Sequence, residues 1–276
     1  MESTDLSLNS QNNKAQRDPW FIKGFLFTNR LIRRFYTLIL ALHQGFWLGI
    51  LDKRSIVQLV DKSYNLFSGY RSNDYLRSGL FPWEKYSVET YFAGCKTILV
   101  GAAGGGREIV ALSKMGYRTD AFDCNRQLIA AAENVLNKEQ IDCRYKYADP
   151  DHVPEQFGLY DGLIMGWSGY SHIVGQADRI KFLKEFRQHL QADGVLLISF
   201  FVRENDSTSF KVTYKLGQLI RKIRFSHENL EFGDTLIEFY LHYFNQAEIE
   251  HELANAGLTL VYYSGTGFGN AVARAI

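Results

Sequence analysis

Residues Lys96–Asn125 read KTILVGAAGGGREIVALSKMGYRTDAFDCN, and the order of textures along this stretch decides the fold. A short β-branched and apolar run, Thr97–Val100, ends in the small-residue turn Gly101–Gly106. A helical period follows from about Arg107, with Ile109, Leu112 and Met115 on one face and Gly116 as its stop. Tyr117–Phe122 is then a second strand. Strand, glycine turn, helix and strand together predict two parallel strands joined by a right-handed crossover. The turn itself has a chemical use: small residues let backbone amides approach a ligand, and the start of the next helix favours negative charge.

The same rhythm continues downstream. Asn125–Lys138 reads as a second helix, and Ile141, Cys143, Tyr145 and Tyr147 alternate with polar residues as a third strand. Gly162–Met165 is a fourth strand, and Ala177–Leu190 is a helix with Ile180, Leu183 and Phe186 facing inward. Asp193-Gly194 turns the chain into Val195–Phe201, a continuous apolar run suited to a central parallel strand. Residues 202–244 break the alternation with a basic segment (Lys215, Arg221, Lys222, Arg224) and an extended stretch, Leu236–Phe244. Asn245 and Glu248 have the spacing of a capping box, and Gly257 closes that helix. Two final strands, about Thr259–Tyr263 and Asn270–Ala275, flank a glycine-rich turn and should be antiparallel. Upstream, residues 20–92 are aromatic-rich helices with breaks near Gly69 and Gly79–Pro82, a helical cap or lid, and the polar residues 1–19 read as a disordered tail. The expected architecture is α/β: a seven-stranded, mostly parallel sheet with an antiparallel last strand, an N-terminal helical cap, a core over 93–276 and a segment inserted at about 202–244.

Bulk properties narrow the function. The 276 residues suit one α/β domain with an extension, and a formal net charge of +1 gives no reason to expect nucleic acid. Three widely spaced cysteines contain no C-x-x-C pair for zinc or redox work, and an odd count argues against a disulfide framework; no metal site is expected, and a reducing cytoplasm fits. The N-terminus lacks a secretory apolar core. Phe35–Leu51 carries His43 and Gln44 and is short for a bilayer span, so it reads as a buried or interfacial helix rather than a membrane span. The basic run at 215–224 reads as a solvated helix face.

Open parallel sheets bind ligands beyond the carboxyl ends of their strands. Asp123 follows the second strand, 22 positions after Gly101, where a carboxylate accepts both hydroxyls of a ribose. Asp149 follows the third strand, where an acceptor meets an exocyclic adenine amine. Gly166–Tyr170, with Trp167 and Tyr170, follows the fourth and supplies aromatic surface. Each aspartate alone is more often a helix cap than a ligand. Four such signals at consecutive strand ends point to a nucleoside.

These residues resemble the class I S-adenosylmethionine-dependent methyltransferase family, over roughly Lys96 to Ile276. The quoted stretch looks like the family's first motif, helix and ribose-binding strand end. YADPDH is similar to its adenine-side motif, YDGLIMGW to its fourth strand, LQADGVLLISF to its fifth, and the last two strands to its closing hairpin. The resemblance implies a Rossmann-like fold with S-adenosyl-L-methionine as cofactor. Gly101, Ala103 and Gly105 would approach its methionine portion, Asp123 would hold the ribose with Cys124 beside it, and Asp149 would meet the adenine. Leu99 stands where the family usually has an acidic residue, and Ala103 stands at its middle glycine. Acid-free loops followed by Arg-Glu, as in Arg107-Glu108, resemble a small-molecule branch, and GWSGY is unlike the NPPY-type signature of nucleic-acid amino-methyltransferases.

On the acceptor side, an in-line displacement needs alignment and somewhere for a proton to go. His172 is the candidate base, with His242 second; a structural histidine is the competing reading of each. Tyr70, Tyr75, Trp83 and Glu84 are the candidate substrate contacts from the cap, with Trp83 and Glu84 suited to a cation. Packing of the cap on the sheet is the competing account. The expected reaction is methyl transfer to oxygen or nitrogen of a small metabolite, plausible in specialised biosynthesis. Alternatives are a nicotinamide-dependent oxidoreductase, since GAAGGG also fits G-x-A-x-x-G, and a non-catalytic degenerate domain.

Overall fold

In a computed structural model, residues 19–275 are described. All of the expected tail except Pro19 therefore lies outside the described residues. By internal contacts the chain forms two compact units, residues 1–40 and 41–276. The described part of the first unit is Pro19 and the front of one helix, α1 (Trp20–Ile50).

The larger unit holds the last ten residues of α1, then α2 (Lys53–Leu66), a 3-10 turn at Ser68–Arg71, α3 (Asn73–Leu76) and α4 (Pro82–Tyr91). The alternating region follows as β1 (Thr97–Gly101), α5 (Arg107–Lys114), β2 (Arg118–Asp123), α6 (Arg126–Glu139), β3 (Tyr145–Tyr147), β4 (Tyr160–Met165), α7 (Gln176–Arg187) and β5 (Leu190–Val202). The remainder is α8 (Thr208–Ile223), β6 (Asp234–Leu236), β7 (Tyr240–Phe244), α9 (Gln246–Asn255), β8 (Leu258–Ser264) and β9 (Gly269–Ala275).

Strands run β3-β2-β1-β4-β5, all parallel, so the order reverses between β1 and β4. β9 lies antiparallel beside β5, and β8 antiparallel beside β9. These are the seven strands expected. The inserted segment adds two more: β6 and β7 form an antiparallel pair, and β7 joins β5 in parallel at Phe201 and Val202.

Alternation along the strands sends consecutive residues to opposite faces. Ile98, Val100, Ala121 and Leu197 pack with Ile109, Leu112 and Val135 on one side. Leu99, Phe122, Leu163 and Leu196 pack with Phe182, Phe186 and Leu253 on the other. Both faces being covered explains why the central strands read as unbroken apolar runs.

Several boundaries differ from the sequence reading. Asn125 caps α6, its side chain accepting from the Leu128 N–H at 2.9 Å. The third strand begins only at Tyr145, because Gln140 is left-handed (φ 55°) and the Ile141 N–H still donates to Leu136 O at 2.9 Å, closing α6. Met115 is partly exposed and caps α5. Leu236–Phe244 turns back on itself as the β6–β7 pair. The basic run lies along α8 and at its C-cap, and one of its four cations is buried. Lys215 and Lys222 are exposed, whereas Arg221 is buried and donates to Leu48 O at 3.0 Å, and Arg224 donates to Gly49 O at 3.2 Å and to Ile50 O.

Candidate active site

Register places the carboxyl ends of four strands level: Gly101 pairs with Phe122 and Met165, and Asp123 pairs with Tyr147. The chain leaves each of these ends toward one cavity of about 620 Å³, a size suited to a nucleoside plus a small partner. Its wall includes Ala102–Gly105, Asp123–Leu128, Tyr147–His152 and Trp167, with α2 contributing from the other side.

The turn after β1 is shaped by close approach. A side-chain carbon at Gly105 would come within 2.4 Å of Leu76 Cδ2 and 2.7 Å of Tyr70 O, so only glycine lets the loop pass beneath α3. Gly104, at φ 53°, turns its N–H onto the Asp123 carboxylate at 2.8 Å. Asn125 N–H donates to the other carboxylate oxygen at 2.8 Å. Asp123 is only 7% exposed, and burial pushes its carboxyl up to about 6 against the pull of these N–H donors. Asp149 is exposed on the same wall, accepting from Tyr147 O–H at 3.3 Å.

A charge cluster lies behind the loop. Arg107, 1% exposed, donates to Glu84 through both terminal nitrogens (2.7 and 2.6 Å), to Glu108 at 2.6 Å and to Gly79 O at 2.7 Å. Phe81 covers its guanidinium with the ring centroid at 4.0 Å. Two carboxylates face one guanidinium, a formal charge of −1, and Glu108 of this cluster lines the cavity. Burial raises the Glu84 carboxyl above its ordinary range, as expected where negative charge is in excess.

His172 sits on the 3-10 turn Gly169–His172 after β4, which β5 anchors: Ser199 Oγ accepts from the Ser168 N–H at 2.8 Å, and Ser171 Oγ accepts from the Phe201 N–H at 2.9 Å. Its Nδ1 meets Tyr240 O at 2.9 Å, so Nδ1 carries the proton. Nε2 is then the acceptor, at 2.8 Å from the Tyr64 hydroxyl. Burial pushes the imidazole down to about 4, and it also lifts the Tyr64 phenol well above its ordinary range. The result is a neutral acceptor joined to a protonated phenol on the cavity wall.

Of the residues expected from sequence, the cavity brings together Ala103, Gly105, Asp123, Cys124, Asp149, Trp167, His172, Tyr70 and Tyr75. Gly101 ends β1 one residue short of the wall. Four others lie elsewhere. Glu84 is spent on Arg107 and on the Phe81 N–H at 2.6 Å, where it caps α4. Trp83 is partly buried against the hydrophobic core and does not line the cavity, so the two residues expected to take a cation are not brought together there. Tyr170 is fully buried, its hydroxyl on Glu252 and its ring stacked on Phe244. His242 is buried with Nδ1 on Asp234 at 2.7 Å. Glu231, Asp234 and His242 converge within 4.8 Å, yet Arg179 at 2.7 Å, the Gln176 N–H and the Tyr240 hydroxyl already take up the two carboxylates.

Sequence reasoning missed α2. Asp61, Tyr64 and Asn65, spaced i, i+3 and i+4 on one helical face, all line the cavity. Asp61 and Asn65 each accept from Asn125 Nδ2 at 2.9 Å, tying α2 to the start of α6. That polar spacing was the signal available.

Comparison with known proteins agrees with this geometry. Residues 98–194 match the family described as a methyltransferase domain. A glycine/sarcosine/dimethylglycine N-methyltransferase from Actinopolyspora halophila is 31% identical over 135 residues, 43% of this chain and 23% of that one. A glycine/sarcosine N-methyltransferase from Aphanothece halophytica is 31% identical over 110 residues, 38% of this chain and 40% of that one. The chain thus matches less than half the length of either relative. A solved S-adenosylmethionine-dependent methyltransferase from Methanosarcina mazei shares the fold, with a TM-score of 0.58 at 19% identity over 72% of this chain and 99% of that one.

Proposed function

We propose that this protein transfers a methyl group from S-adenosylmethionine to a nitrogen or oxygen atom of a small metabolite, as the match of residues 98–194 to a methyltransferase domain supports. The observation that carries the proposal is that Asp123 and Asp149, from adjacent strand ends, line one cavity with the loop Ala102–Gly105. S-adenosylmethionine supplies an electrophilic methyl on a sulfonium; the protein aligns the acceptor and manages charge.

The residues present fit that cofactor. Asp123 is a buried carboxylate whose charge is costly until hydroxyl donors reach it, which suits ribose hydroxyls. Asp149, exposed on the same wall, would accept from the adenine amine. Leu99, where the family usually carries an acid, is fully buried in the apolar core. Glu108, on the same cavity wall and in a cluster of formal charge −1, would hold the amino-acid ammonium. On the acceptor side, Tyr64 and His172 form the proton path: the acceptor's proton passes to the Tyr64 oxygen as the Tyr64 proton passes to His172 Nε2. Tyr70, Tyr75 and Trp167 form an aromatic wall, with Tyr70 and Trp167 centroids 5.8 Å apart.

The relatives named for glycine and sarcosine N-methylation support a small amine as the first acceptor class to try. Calorimetric titration with S-adenosylhomocysteine should give saturable heat, and titration with NAD none. Transfer of radiolabelled methyl from the cofactor to a panel of small amines and alcohols should then label at least one. Heat with NAD alone would refute the cofactor, and no labelling across both classes would refute the acceptor.

A further inference from the structure

Helix α1 carries Lys23, Arg30, Arg33 and Arg34 and no acidic residue over its full length, Trp20–Ile50. With 31 basic and 30 acidic residues in the chain, this helix holds a charge of +4 while the remainder holds −3. At about 100° per residue, the four cations fall in one arc roughly 100° wide. Phe21, Phe25, Ile32, Phe35, Ile39 and Leu42 fall in the opposite arc, of similar width. All six are exposed, Phe25 at 66% and Phe35 at 65%. Single exposed apolar residues are ordinary, but a contiguous aromatic and aliphatic stripe this long marks a docking face. No described helix is long and apolar enough to cross a membrane.

We propose that the face of α1 bearing Phe21, Phe25, Ile32, Phe35 and Ile39 lies in the headgroup layer of an anionic lipid bilayer, with Lys23, Arg30, Arg33 and Arg34 drawn to the surface charge. A wide apolar arc with aromatic side chains, backed by a purely cationic one, is the composition of helices that lie in a bilayer interface. The charge selects the lipid over a second copy of the chain, since an anionic surface supplies counter-charge for the four cations, whereas a second copy of this helix, which has no acidic residue, supplies none. The interface also explains why the sequence is too polar to span: Arg33 and Arg34 stand near the helix midpoint.

The test is flotation of the full chain with large vesicles, either pure phosphatidylcholine or phosphatidylcholine with about 30% phosphatidylglycerol. The protein should float with the anionic vesicles, less at high salt, and not with the neutral ones. Each of Arg30→Gln, Arg33→Gln and Arg34→Gln should lower the partition coefficient by about fivefold. Phe25→Ser with Phe35→Ser should abolish flotation while the thermal melt is unchanged, since neither ring is packed. Failure of the wild-type chain to float with anionic vesicles would overturn the proposal. So would flotation that survives all these variants, or sedimentation showing that the same phenylalanines drive self-association without lipid.

Discussion

Replacing Asp123 by Asn should make the protein's stability depend on pH in a new way while weakening cofactor binding. In the folded chain the Asp123 carboxyl titrates near 6 rather than at the ordinary 3.8, because burial opposes its charge. Between those values the folded state keeps a proton that the unfolded chain has released, so this group's contribution to stability falls as pH rises through the window and is level above it. Two pH units at about 1.4 kcal/mol each make the cost of the buried charge about 3 kcal/mol at neutral pH. His172 acts oppositely: held near 4 instead of 6.5, it favours folding increasingly as pH rises through an overlapping window. The two slopes largely cancel in the wild type. Asn at 123 does not titrate, so the variant should keep the His172 contribution without the opposing slope of Asp123. The wild-type-minus-variant difference should slope downward by up to about 1.4 kcal/mol per pH unit between roughly 4 and 6. Urea denaturation from acid to mildly alkaline pH measures this directly. At neutral pH the same variant should bind S-adenosylhomocysteine roughly 10- to 100-fold more weakly, having lost a charged acceptor for two hydroxyls. A flat stability difference would refute the buried-charge argument, and unchanged affinity would refute the ribose role.

Tyr64→Phe and His172→Ala should each slow turnover by roughly 10²-fold with little change in S-adenosylhomocysteine affinity, as steady-state kinetics and calorimetry will show. Because His172 is held near 4, wild-type activity should not fall between pH 8 and pH 6 through protonation of this ring. Glu108→Gln keeps a hydrogen-bond acceptor for Arg107 and removes the surplus negative charge, so it should cost roughly tenfold in cofactor affinity in the same titration. Gly105→Ala should lower stability by about 1–3 kcal/mol in urea titration, since the new methyl must displace Leu76 and the Tyr70 carbonyl.

The alternating core was legible because each central strand is an apolar run and each crossover helix has its own stop. β1, β2, β4 and α9 lie within about two residues of the expected bounds, which is the usual spread of helix and strand ends. The errors came from contacts that no local window contains. Glu84 looked available for a cation until Arg107, 23 residues later, was seen to occupy it. The spacing of Asp61, Tyr64 and Asn65 could mark a polar face of α2, but not the bond from Tyr64 to His172, which is 108 residues away. Leu236–Phe244 has the composition of one long strand, and only the pairing of Asp234 with His242 shows it as two. Cofactor-side residues follow strand ends at short range and so could be nominated from sequence. On the proposed acceptor side, which draws on separate elements, His172, Tyr70 and Tyr75 could be nominated from sequence and line the cavity, whereas Trp83, Glu84, Tyr170 and His242 do not.

That division has a consequence for specificity. The family match ends at residue 194 and begins at 98, so it contains Asp123, Asp149, Glu108 and His172. Tyr64, Tyr70 and Tyr75 precede it, and Phe239 and Tyr240, which stack on Tyr64 and orient His172, follow it. The part of the cavity proposed for the acceptor is therefore assembled largely from chain outside the matched domain. A relative can share the nucleoside side completely and still differ in every group that meets the acceptor. The inserted β6–β7 pair matters most here, because the Tyr240 carbonyl fixes the His172 tautomer and so the direction of the proton path. On the proposed reading, the acceptor would be chosen where α2 meets this inserted pair, outside residues 98–194.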